Sequence, residues 1–143
     1  MSATPLAPRA RTSTAPAALL RRYLLLDAGP TTATGVAFVV APGPIGDFLG
    51  YGTAPVLAVG VFLTLFGGFV GWLSTRRRPP LAAVHAVVDV NAVWAVASLA
   101  VLAFRLDPTP VGVAYGVLQA VVVGALAVLQ FTAARRVAAE SRP

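Results

Sequence analysis

Along the chain, apolar residues do not alternate with polar ones at a helical or strand period. They gather into four runs of about twenty. That is the length an α-helix needs to cross a hydrocarbon core of about 30 Å. The pattern predicts spans over 24–41, 54–73, 81–104 and 111–131, and so an all-α membrane protein: a four-helix transmembrane bundle joined by three short connections. Before the first span, residues 1–20 are mostly Ala, Pro, Ser, Thr and Arg, which cannot repay the entropy of ordering. The expected organisation is a disordered cytoplasmic tail over 1–20, a membrane domain over 21–136 and a short cytoplasmic tail over 137–143. Between the first two spans, Ala41-Pro42-Gly43-Pro44-Ile45-Gly46 carries two prolines and two glycines, and is expected to form a structured outer loop rather than a helix.

Composition agrees with a lipid solvent. The 143 residues are 57% hydrophobic and only 11% charged, against about 25% charged in an ordinary soluble domain, and the mean hydropathy is +0.80. A water-soluble globular fold is excluded on these grounds. The charge that remains is unevenly placed. Arg9, Arg11, Arg21 and Arg22 precede the first span, Arg76, Arg77 and Arg78 divide the second from the third, and Arg135, Arg136 and Arg142 follow the fourth. Only Arg105 lies in the other two loops, so ten of the eleven basic residues fall on one side. The positive-inside rule then puts both termini and the middle loop in the cytoplasm, in a multi-pass protein of the cell's inner (plasma) membrane, with Asp47 and Asp107 outside. The net charge of +6 is a topology signal, aided by anionic lipid, and not a nucleic-acid footprint. Arginine without any lysine suits a high-GC bacterial genome. Arg21-Arg22 before an apolar run also has the look of a twin-arginine signal, but with three further spans downstream the pair is better read as interfacial anchors.

Small residues mark the expected helix contacts, because lipid gives helices little reason to associate except close backbone approach and polar bonds. Gly60, Gly67 and Gly71 with Thr64 share an arc of the second span, and Gly112, Gly116 and Gly124 with Ala120 repeat the device on the fourth. Each half of the chain runs out and back in the same sense, which suggests a parallel two-hairpin pseudo-repeat. Tyr23 and Trp72 fall near the inner interface and Tyr51 near the outer one, where amphipathic rings are favoured.

Ionisable groups within a bilayer are costly, which makes Asp27, His85 and Asp89 the candidate proton-coupling or buried polar residues. Asp27 stands ~7–8 Å of helix rise beyond Arg22. It reads either as a solvated acid in a first helical turn or as the start of a polar stripe with Thr31 and Thr34, near Pro30. His85 and Asp89 are one turn apart on the third span, with Asp89 ~12 Å past Leu81 and near the midplane. They could relay a proton, or hydrogen-bond each other and a neighbouring helix. Asn91, Trp94 and Ser98 on that span and Tyr115 and Gln119 on the fourth are candidate interhelical polar residues, with Tyr115 and Gln119 as partners for Asn91 or Ser98. Gln130 falls at the inner end, where a polar side chain is cheap.

Several chemistries have no residues to carry them. The absence of cysteine removes disulfides, thiolate metal sites and thiol redox steps. One histidine without membrane-embedded cysteine or glutamate makes no ordinary zinc or bis-histidine haem site, so neither metal nor cofactor is expected. There is no nucleophile elbow and no phosphate-cradling glycine loop, and an enzyme is not expected. Leu26-Asp27-Ala28 with Thr31 and Gly35, Gly43-Pro44-Ile45-Gly46 running to Leu49-Gly50, and Val90-Asn91-Ala92-Val93-Trp94 with Ser98 resemble a family of small four-span integral membrane proteins from high-GC bacteria. The resemblance spans roughly residues 20–132 and implies a four-helix membrane bundle. That family has no assigned activity, and His85 and Asp89 lie outside its motifs. Two functions stand as expectations. One is a non-catalytic accessory or scaffold protein acting through helix–helix contacts, with the bilayer and a second copy or another membrane protein as partners. The other is a small proton-coupled transporter using its embedded Asp and His residues.

Overall fold

The structure is a computed structural model, and it describes residues 15–104 and 107–141. Five helices and no strand appear among them: α1 (Ala15–Val40), α2 (Pro42–Leu49), α3 (Thr53–Ser74), α4 (Leu81–Phe104) and α5 (Pro110–Glu140). All but α2 are long and apolar enough to cross a membrane, so the chain is a four-span helical membrane protein. Two of the spans outrun the apolar runs. Helix α1 starts at Ala15 rather than after residue 20, because Pro16 suits a first turn and the Ala-Ala-Leu-Leu-Arg-Arg stretch that follows is strongly helix-forming. The alanine- and arginine-rich end of α5 likewise continues to Glu140. The tail over residues 1–14 lies outside the described residues.

The segment expected to be an outer loop is instead helical. Proline at the first helical position lacks an N–H that would have no partner there anyway, so Pro42 opens α2 where it would break the middle of a helix. Gly50 closes it in the left-handed region at φ 74°, a conformation that favours glycine. The short helix lies over the end of the bundle away from the arginines. The Thr109 N–H donates to the Leu49 carbonyl at 3.1 Å and the Thr109 hydroxyl to the Phe48 carbonyl at 2.8 Å. The same hydroxyl oxygen caps α5 by accepting from the Gly112 N–H.

Helices α1 and α3 form one tight hairpin and α4 and α5 another, and the two hairpins meet mainly through α1 and α5. Glycine sets the first crossing. Gly35 of α1 lies against the Thr64 backbone, Gly60 against Phe38 and Val39, and Gly67 against Thr32, so a methyl group at any of the three would overlap its neighbour. The glycine stripe of α3 thus packs within the chain, and the corresponding face of α5 meets α2 and α4 through Gly112 and Gly116. Apolar packing is concentrated at two levels. Leu20, Leu24, Val70, Leu73, Val84, Val87 and Ala134 fill the arginine-bearing end, and Phe38, Leu49 and Val56 the α2 end. Arg21 closes the first level by donating its Nε–H to the Ser74 carbonyl at 2.8 Å, satisfying the exposed end of α3. Between the two levels the bundle is hollow, and α3 and α4 scarcely touch.

Candidate functional site

The hollow is a cavity of about 550 Å³ bordered by all four spans. Its walls are mainly apolar, with Phe38, Phe62, Phe66, Trp94 and Tyr115 giving aromatic faces. Polar groups enter along one side. Asp27, Thr31 and Thr34 come from α1, Asn91 and Ser98 from α4, and Gln119 from α5. Where α3 and α4 diverge, one aromatic contact bridges the gap: Phe62 and Trp94 stack with centroids 5.5 Å apart and planes 18° from parallel. The Trp94 indole N–H donates to Gln119 Oε1 at 2.9 Å, which fixes the ring on its α5 side.

Asp27 is the chemical centre of the polar side. It is 1% exposed and lies roughly three turns inside α1, so the reading as a solvated first-turn acid is corrected: the helix begins far upstream at Ala15 and carries the carboxylate into the bundle. Its Oδ2 accepts from Asn91 Nδ2 at 2.6 Å and from Gln130 Nε2 at 2.8 Å. Asn91 also donates to Gln130 Oε1 at 3.2 Å, closing a three-residue network across α1, α4 and α5. The other carboxylate oxygen, Asp27 Oδ1, has one long contact, from the Thr31 hydroxyl at 3.3 Å. Every donor to this carboxylate among the described residues is neutral. Asn91 stands ~15 Å along α4 from Leu81, and Asp27 and Gln130 stand ~7–8 Å along their helices from Arg22 and Arg135, so the network lies within the spans, on the side of the arginine-bearing end.

Pro30 sits in the cavity wall one turn beyond Leu26. Having no N–H, it leaves the Leu26 carbonyl without its helical donor beside the buried acid. The helix continues through it, about four turns from Ala15.

Gln130 is the residue that sequence reasoning passed over. Its place near the inner end suggested a cheap position, yet it is fully buried. The antiparallel register of α4 and α5 explains this, since Ala95 meets Gly124 and Leu102 meets Gly116, bringing Gln130 level with Asn91. The same register leaves Gln119 nearer the outer end, where it takes Trp94 and not Asn91 or Ser98. Tyr115 packs its ring on Phe38 with centroids 6.1 Å apart, and Ser98 faces the cavity. Tyr51, between α2 and α3, donates its hydroxyl to the Gly112 carbonyl, and burial pushes the phenol above its ordinary range, which keeps it a donor.

His85 and Asp89 stand apart from this site. Both are exposed on the face of α4 opposite Asn91, and no hydrogen bond joins them among the described residues. No group of His, Asp and Glu side chains suited to a metal ion occurs among the described residues. No known protein family, no curated protein and no solved structure matches the chain. What the sequence motifs implied about fold, a four-span helical membrane bundle, is what the structure has.

Proposed function

We propose that the protein is a small proton-coupled carrier that takes an apolar cation from the bilayer into the central cavity and exchanges it for a proton on Asp27. The observation that carries this reading is the buried carboxylate within the spans, held among the described residues by neutral donors at the wall of a cavity of about 550 Å³. A buried carboxylate in lipid must be neutralised or paired. Oδ1, with its single long contact, has lone pairs free for a proton or a bound cation. Aromatic faces around the cavity attract a cation without demanding hydrogen bonds from it. The volume lies in the ~300–1,000 Å³ range of small-molecule sites, and the sparse α3/α4 contact supports lateral entry past the Phe62–Trp94 stack. The reading assigns no covalent chemistry to the chain.

Tetraphenylphosphonium added to the purified full-length protein in mild detergent tests the proposal, with Trp94 fluorescence as the readout in a Trp72→Phe background. Saturable quenching is expected, weakening as pH falls because proton and cation compete for one carboxylate. Asp27→Asn should weaken binding by about tenfold or more, a loss of at least ~1.4 kcal/mol, while the protein stays monodisperse. Equal affinity in Asp27→Asn, or no saturable binding at any pH, overturns the reading. An accessory role through helix contacts is a second reading, favoured by the uncovered charged face of α4.

A further inference from the structure

The outward face of α4 holds two ionisable side chains, His85 and Asp89, that stay exposed among the described residues. Asp89 lies ~12 Å along the helix from Leu81 and so inside the apolar span, with His85 one turn nearer the arginine-bearing end. Val84, Val87, Asn91 and Ala95 turn inward, whereas His85 and Asp89 are exposed. His85 leans its ring toward Phe131, with centroids 6.3 Å apart, and does not bond Asp89. An isolated carboxylate facing lipid at this depth is expensive, and the pair does not relieve the cost internally.

We propose that this face is the interface with a second copy of the same chain. The two α4 helices would pack about a twofold axis along the membrane normal, each Asp89 accepting a hydrogen bond from His85 of the partner subunit. Three features favour a second copy. The face carries a donor and an acceptor one turn apart, so each His85 can reach one turn along to Asp89 of the partner subunit, and the twofold repeats that contact in the other direction, as an isologous interface requires. Ten of eleven arginines flank one end of the spans, which inserts every copy the same way up and makes the paired helices parallel. Ala82, Ala86, Val93 and Val96 surround the pair at spacings of three and four, are all exposed, and are small or β-branched, which permits close backbone approach. At an interaxial distance of about 8–10 Å, the ~6 Å rise between positions 85 and 89 is within the combined reach of an imidazole and a carboxylate. The contact is independent of the cavity, which lies on the opposite side of α4.

Because the chain has no cysteine, single cysteines report the interface directly. In liposomes containing only the purified full-length protein at low density, Ala86→Cys and Val93→Cys should oxidise to a species of twice 14.6 kDa. Leu65→Cys on α3 and Leu118→Cys on α5 are controls, since Leu65, Leu118 and Val93 are 70%, 65% and 67% exposed. In the Val93→Cys background, His85→Asp alone or Asp89→His alone removes both symmetry-related polar pairs and should slow crosslinking by about tenfold or more. The double exchange H85D/D89H should restore it, which a general change in polarity would not do. All these positions lie outside the packed core, and a monodisperse elution profile confirms that each variant folds. Crosslinking of Val93→Cys no faster than Leu65→Cys overturns the proposal, as do single exchanges without effect. In native membranes, a crosslinked product of any mass other than twice the chain overturns it in favour of a different membrane partner.

Discussion

At the scale of single residues, the Asp27 network binds three helices through one carboxylate. Removing Asn91 does two things at once: it takes away the shorter of the two amide donors to Oδ2 and leaves Gln130 Oε1 without the Asn91 N–H. Asn91→Leu should therefore cost about 1–3 kcal/mol, the range for stranding buried polar groups, tempered by the modest worth of hydrogen bonds between membrane helices. A lowered unfolding midpoint in a denaturing-detergent titration checks it. Little of this network was visible beforehand. Asp27 and Asn91 attract notice as polar residues in apolar runs, but Gln130 does not, because its burial follows from the register of α5 on α4 and not from its position in the chain.

At the scale of helices, the α1/α3 hairpin depends on the absence of side chains at a few points. Gly67 packs directly on the Thr32 backbone, while Gly68, next to it, faces open space. Gly67→Val should destabilise by roughly 1–3 kcal/mol or more, as forced expansion of a packed contact does. Gly68→Ala should be neutral or stabilise by up to about 1 kcal/mol through helix propensity. The same detergent titration distinguishes them, and similar losses for both would mean that the crossing is not set by glycine contact. The glycine arc of α3 is legible as a packing face. That its partner is α1, through Gly35 and Thr32, is not, because a small-residue stripe specifies closeness and not identity. The prolines of α2 show the converse: a residue that interrupts the middle of a helix starts one at its first position, and composition does not distinguish the two.

At the scale of the whole molecule, four spans bring the beginning of α1, the end of α3, the start of α4 and the end of α5 to one end, together with Arg21, Arg22, Arg76 to Arg78, Arg135 and Arg136. Helix α2 and Asp47 lie at the other. From the arginine bias we propose that the first end faces the cytoplasm. Single cysteines at exposed sites test this in intact cells: a membrane-impermeant maleimide should label Asp47→Cys and spare Arg77→Cys until the membrane is broken. The reverse pattern would invert the protein and leave its internal packing unchanged.

The number and placement of the spans, their common arginine-bearing end and the exclusion of cysteine chemistry were determined by the sequence alone, because bilayer thickness and the charge rule act on each segment without reference to its neighbours. Only the tertiary structure decided which polar residues meet. Asp27 joins Asn91 and Gln130 while His85 and Asp89 turn outward, since rotation and register about each helix axis are fixed by contacts between helices. The cavity belongs to the same class of fact. It exists because α1 holds α3 tightly and α5 holds α4, leaving α3 and α4 apart, and no single apolar run records how far it will stand from another.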